Sequence, residues 1–264
     1  MLNYIKYSLT NFNKIELKDM ESVKLMNRKE SKYIINRKTL ALILDKIHED
    51  YFILEIQKQR LMPYESRYFD SPHFDLYNTH QNGKLNRYKI RKRTYMTTGL
   101  QFLELKFKNN KKRTIKKRIE ITETTHRNEI KEFLYKNYPD SINKLREVLK
   151  INYDRITLVD KSLKERITID LNLRFTADHK SSSYEDMAII EIKHEGDLKS
   201  SSIDRKLKEK RIKPISISKY CLGIYRHYDH VKTNRIKIKI REMNKALNAA
   251  PSPLRGKTVN NKAS

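Results

Sequence analysis

In residues 84–95, KLNRYKIRKRTY, every second position is a cation: Arg87, Lys89, Arg91 and Arg93 alternate with Tyr88, Ile90, Lys92 and Thr94. A period of two marks a strand and puts all four cations on one side of a sheet. Similar alternation predicts strands over residues 25–35, 51–56, 64–70, 99–109, 114–123, 153–160, 165–175 and 187–195. The pair FLELKFK and TIKKRIEIT, joined by the polar turn NNKK, is the clearest hairpin. Helical spacing predicts helices over 38–50, 73–80, 126–149 (broken near Pro139), 202–211 and 215–227, after a helical lead-in over 1–24. TNRIKIKIREMNKAL, residues 233–247, reads as a basic helix on Ile236, Ile240, Met243 and Leu247, with a terminal strand through Ile236, Ile238 and Ile240 as the less favoured alternative, and the polar stretch from Ala246 onward reads as disordered.

The charged faces share one pattern. Glu104, Lys106 and Lys108 oppose Leu103, Leu105 and Phe107, and Lys116, Arg118 and Glu120 oppose Ile115, Ile119 and Ile121. Arg166, Asp170 and Arg174 oppose Ile167, Ile169, Leu171 and Leu173, and Glu191 and Lys193 oppose Ile190 and Ile192. Arg28, Glu30 and Lys32 share a face as well. One such strand is an ordinary solvated sheet face. When about six strands repeat it, a curled or closed antiparallel sheet gathers the charges inside and packs its apolar side outward beneath helices. Carboxylates would pair some of these cations, and a polyanion or metal would neutralise the rest. The spacing E-x-K occurs at Glu30/Lys32, Glu104/Lys106 and Glu191/Lys193. It sets a carboxylate able to ligate a hard cation beside an ammonium able to hold a phosphate oxygen.

Charge sharpens this picture. The 264 residues carry +26, and residues 231–264, with nine Lys and Arg against one Glu, account for +8 of it, leaving +18 on residues 1–230. A field of that sign attracts nucleic acid, anionic lipid or condensed phosphate. Only 5 glycines are present, with neither GxGxxG nor GxxxxGK[ST], so phosphate binding must rest on side chains. The single Cys221 excludes an intramolecular disulfide and a cysteine-rich zinc site, and the histidines have no metal-ligand spacing. The serines at 181–183 and 200–202 read as loop residues. With no signal-peptide core and no run near the roughly 20 apolar residues of a membrane helix, the chain reads as cytoplasmic, with peripheral membrane attachment a further expectation.

The motifs RKESKY, YFDS, YKIRKRTY, LELK, RITIDLNLR, IIEIK and SKYCLG, in that order over about residues 24–226, resemble the VTC domain, the polyphosphate polymerase domain of the triphosphate tunnel metalloenzyme (CYTH-like) superfamily. The resemblance implies an α+β fold: a closed antiparallel β-barrel with a charged tunnel and helices outside. It divides the chain into a lead-in (1–24), a tunnel domain (25–230) and a basic helix with a tail (231–264). It implies Lys32, Arg91, Arg93, Lys106, Arg166 and Lys219 as catalytic phosphate contacts and Glu191 as the metal ligand for Mn²⁺ or Mg²⁺; Lys89, Arg118 and Lys193 join them as substrate-binding residues. The implied reaction moves the γ-phosphoryl group of ATP onto polyphosphate, with a membrane protein as partner. The chain departs from the hydrolytic members, which begin ExExK, by having Arg28 at the first acid; it also has Lys164 where polymerase-type members often carry an aromatic residue. A metal-dependent triphosphatase is the second reading. A silent polyanion-binding module is the third, with nucleic acid or anionic membrane held non-specifically by the basic tail.

Overall fold

The computed structural model describes residues 1–22, 28–195 and 201–248. The expected disorder of the tail lies outside them beyond Asn248, as does Ser200; Ala246, Leu247 and Asn248 are helical. The strands are β1 (Asn13–Ile15), β2 (Arg28–Asn36), β3 (Tyr51–Leu54), β4 (Met62–Asp70), β5 (Arg87–Tyr95), β6 (Gln101–Lys108), β7 (Thr114–Glu120), β8 (Arg146–Asp160), β9 (Glu165–Ala177), β10 (Lys180–Tyr184) and β11 (Met187–Glu195). The helices are α1 (Leu2–Thr10), α2 (Arg37–Ile47), α3 (Asp75–Gln81), α4 (Arg127–Asn137), α5 (Ser202–Glu209), α6 (Lys219–His227) and α7 (Asn234–Asn248). The strands form one sheet with the path β2-β11-β9-β8-β4-β5-β6-β7, antiparallel except for the short β1/β3 pair.

Two apolar layers lie on the outer side. Tyr33 and Ile35 of β2, Ile156 and Leu158 of β8, Ile167, Ile169 and Leu171 of β9 and Ile190 and Ile192 of β11 pack beneath α1, α2 and α5. Ile90, Leu103 and Leu105 of β5 and β6 pack against Leu76 of α3 and the apolar face of α4. A third cluster fills part of the inner side: Leu149, Ile151, Leu173, Phe175, Met187 and Ile189 meet Leu222 and Ile224 of α6 and Ile236 and Met243 of α7.

Four expectations are corrected. The closed barrel is an open, rolled sheet: among the described residues β2 and β7 bond no strand across the seam. Both edges carry cations on the inner side (Lys32 on β2, Lys116 and Arg118 on β7), and like charges oppose strand pairing at about 4.8 Å. The helix over 126–149 ends at Asn137, and β8 begins at Arg146, because Glu147 to Tyr153 pair with β4. Ser181–Ser183 lie in β10, bonded to β9, rather than in a loop.

Arg174 is the fourth. The β8/β9 register shifts between Asn152 and Asp154, and Asn172 adopts the left-handed conformation (φ 54). This bulge reverses which residues face inward. Leu173 and Phe175 therefore join the inner core, and Arg174 is exposed on the outside.

Gly223 lets α6 approach the sheet. A Cβ there would stand 2.4 Å from Leu149 Cδ2 and 2.7 Å from Phe175 Cδ1. Gly223→Ala is expected to destabilise the protein by about 1–3 kcal/mol, despite alanine's better helix propensity. Urea denaturation checks this; equal or higher stability would mean that α6 is free to move off the sheet.

Candidate polyanion-binding cavity

Pairing carries side chains from β2, β4–β9 and β11 onto the wall of one cavity of about 1320 Å³. Lys32, Lys89, Arg91, Arg93, Lys106, Arg118, Arg166, Glu191, Lys193 and Lys219 all line it, so the ten residues expected to bind phosphate or metal come to this one wall. Lys92 does not, as the alternation of β5 requires. Lys219 is the first residue of α6, and the segment before it acts as a strap. Ile215 N donates to Lys32 O on the β2 edge (2.7 Å), and Ser218 Oγ accepts from Lys89 Nζ on β5 (2.8 Å). The strap thus runs from the β2 edge to β5, two strands in from the other edge of the sheet.

The cations are organised in trios, each around one carboxylate. Glu104 takes Arg91 at 2.6 Å and Arg93 at 3.9 Å. Glu191 takes Lys32 at 2.9 Å together with Lys193. Asp170, 2% exposed, receives Arg155 bidentately (2.7 and 2.9 Å) together with Lys219. The Glu104 and Asp170 trios each keep one positive charge in excess. Glu30 also reaches Lys32.

Burial and neighbouring charges oppose one another at the carboxylates, and burial prevails at the lysines. Burial alone would raise the carboxyl pKa of Glu191, but Lys193 and Lys32 hold it well below the usual range. Burial would raise Asp170 too, and Arg155 and Lys219 outweigh it. Lys32, Lys106 and Lys193 are pushed down, chiefly by burial. The lowering of Lys32 includes repulsion from Lys106, which couples β2 to β6 across the seam. Lys89 is pushed down to about 8 by burial, with Lys106, Arg87 and Arg91 adding to it.

Sequence reasoning missed several lining residues. Arg155 was legible, because Tyr153, Arg155 and Thr157 alternate with Ile156 and Leu158. The tyrosines were not legible as a set. Tyr64 stacks on Tyr153 at 5.4 Å, and Arg93 and Arg155 lie over the Tyr64 ring at 5.8 and 5.2 Å. Lys239 of α7 also lines the cavity. The α7 helix is packed on the body, burying Ile236 and Met243, and Leu247 O accepts from Asn36 Nδ2.

The low value of Lys89 has two opposite consequences. Affinity for inorganic tripolyphosphate should fall as pH rises through about 8, where the ammonium loses its proton, and Lys89→Gln should remove that step in calorimetric titrations. The anion-free protein should behave the other way. Between about 8 and the unfolded lysine value near 10.4 the unfolded chain holds more protons, so this group's contribution to stability rises with pH. A flat affinity profile would remove Lys89 from the anion's surroundings.

A family model described as the VTC domain matches residues 27–228. No curated protein matches the chain by sequence. Among solved structures, a candidate adenylate cyclase from Bacillus halodurans superimposes with TM-score 0.50 at 12% identity, covering 77% of this chain and 100% of that one. A candidate adenylyl cyclase from Hippeastrum, described as having a dominant triphosphatase activity, gives TM-score 0.49 at 13% identity, with 74% and 94% covered. A candidate adenylate cyclase from Vibrio parahaemolyticus gives 0.43 at 13%, with 73% and 95% covered. The first of these bears on fold alone at so low an identity. The family match spans most of the chain and all ten residues singled out in the sequence; the chain belongs to the VTC domain family.

Proposed function

We propose that the chain is a phosphotransferase of polyphosphate polymerase type, moving the terminal phosphoryl group of ATP onto a polyphosphate chain in the basic cavity. The observation that carries this reading is charge excess: fifteen Lys and Arg line the cavity against three Glu. The surplus is far larger than the roughly four negative charges of a nucleoside triphosphate. A longer polyanion matches it in charge. In phosphoryl transfer the protein mainly positions and neutralises, and buried cations do this with little reorganisation.

Hydrolysis of triphosphate is the second reading, and it fits less well. Water needs a base to activate it, yet Glu30, Glu104 and Glu191 are each held by cations. A phosphate acceptor is already an anionic nucleophile and needs none.

The family resemblance implies a divalent cation, Mn²⁺ or Mg²⁺. Among the described residues no group of three or more His, Cys, Asp or Glu could cage a metal by itself. The donor set suits an ion shared with substrate: Glu191 and Glu30 both reach Lys32, and Mg²⁺ is commonly held by one or two carboxylates plus phosphates. Glu191 stays ionised under the hold of its two lysines and is the principal ligand in this reading, with Glu30 beside it. When bound, the ion would neutralise charge on the phosphates. Lys32, Lys106, Lys193 and Lys219 orient the chain, and Arg91, Arg93, Arg118 and Arg166 bind its oxygens.

No helix among the described residues is long and apolar enough to cross a membrane. Lys232, Arg235, Lys237, Arg241 and Lys245 are exposed on or beside α7 and form the surface we assign to non-specific contact with anionic membrane or nucleic acid.

Purified protein incubated with ATP and Mn²⁺ or Mg²⁺ should form long-chain phosphate. Free orthophosphate as the main product would favour the triphosphatase, and tight polyphosphate binding without turnover would favour the module. Glu191→Gln should reduce metal-dependent turnover about 100-fold while metal-free polyphosphate binding holds or strengthens, because one repulsive carboxylate is gone. Unchanged turnover would move the metal elsewhere. Arg91→Ala and Arg93→Ala should each greatly reduce turnover, whereas Lys92→Ala, on the outer face, should leave it within about twofold.

A further inference from the structure

Tyr68 is a neutral hydroxyl set among the cations of the cavity wall. It lines the cavity and is 7% exposed. Its oxygen accepts from Arg91 Nη1 at 3.0 Å, and that guanidinium lies over the ring with its carbon 5.8 Å from the centroid. The Arg91 contact occupies the oxygen as an acceptor and leaves the hydroxyl's own hydrogen available to donate.

The ring is fixed from behind. Tyr220 of α6 stacks on it at 5.0 Å with 22° between planes, and the Tyr220 hydroxyl donates to Asp70. Asp70 in turn accepts from the backbone N–H groups of Ser71, Leu76 and Tyr77 at 2.7, 2.9 and 2.9 Å. The buried carboxylate therefore ties β4, α3 and α6 together behind Tyr68. A donor held this firmly costs no reorganisation when charge develops in front of it.

We propose that Tyr68 is a catalytic hydrogen-bond donor, its hydroxyl directed at the bridging oxygen of the triphosphate that departs with the diphosphate. This rests on the phosphotransferase reading. As the terminal P–O bond breaks, its electron pair stays on that bridging oxygen, while an oxygen of the acceptor phosphate forms the new bond to phosphorus. Tyr68 keeps its proton and stabilises the oxygen on which charge grows. Burial alone would make the phenol less acidic, but Arg91, Arg93 and Lys219 outweigh it and bring it below the ordinary tyrosine value. A more acidic phenol is a stronger donor, so the surrounding cations sharpen this role.

The test uses Tyr68→Phe, which keeps the ring and its stack on Tyr220. Single-turnover rates with ATP and Mn²⁺ or Mg²⁺ should fall about 100-fold, while the Kd for inorganic tripolyphosphate changes less than about threefold. A second readout distinguishes direct donation from mere support of Arg91. With α,β-methylene-ATP the leaving diphosphate is more basic than with α,β-difluoromethylene-ATP, so the penalty of Tyr68→Phe should be larger for the former. This ratio is internal to one folded population and stays readable if the variant's melting temperature falls. Full turnover in Tyr68→Phe overturns the proposal, as does a loss of affinity equal to the loss of rate. An equal penalty for both analogues overturns it too, and makes Tyr68 a positioning residue for Arg91. Absence of ATP turnover in the unaltered protein would show, without any variant, that the phosphotransferase reading itself fails and the proposal with it.

Discussion

Cations crowded on the inner side of a rolled sheet repel one another, and burial removes the water that would screen them. The protein meets part of this with three carboxylates that each hold two cations: Glu104, Glu191 and Asp170. Full pairing would silence the cavity and no pairing would burst it; partial pairing leaves positive charge standing while the paired groups hold their shape. Other features follow from this compromise. Two of the apolar clusters go outside beneath helices, β2 and β7 stay unpaired with each other among the described residues, and the strap from Pro214 to Ser218 ties β2 to β5.

Trios also differ in depth. The Asp170 trio is closed against α6, since Lys219 starts that helix and Arg155 lies over Tyr64 and Tyr153. It joins the polar wall to the apolar plug, so the site and the inner core are one packing problem. The Glu191 trio is half open, and its lysines can trade the carboxylate for a phosphate oxygen.

Much of this was legible in residue order. Alternation in KLNRYKIRKRTY, FLELKFK and IIEIKHE assigns the inner and outer faces without any structure, because a strand's period leaves no choice. What alternation cannot carry is a change of phase. The left-handed Asn172 reverses the inward parity of β9 within one residue, and nothing in DLNLRF signals it, since Leu, Asn and Arg suit either side. Closure was illegible for a related reason: whether two edges pair depends on charges that meet across the seam from β2 and β6, far apart in sequence. The strap was hidden because ISISK reads as the approach to a helix; its function lies in Ile215 N and Ser218 Oγ finding partners on strands remote in the chain.

The pairing of β2 with β11 bears on how the protein is made. Residues 28–36 lie beside residues 187–195, so the N-terminal strand must wait for nearly the whole tunnel to be synthesised before its partner exists. Local hairpins such as β5–β6–β7 close short loops, whereas the β2/β11 contact is of high sequence separation, the kind of pairing whose loop-closure cost slows folding. During that wait, the β2 sequence is spared from indiscriminate pairing by its charges: Lys29, Glu30 and Lys32 make a poor template for another chain's edge. Lys32, which faces the anion cavity in the finished protein, thus also acts as a gatekeeper before β2 finds its partner.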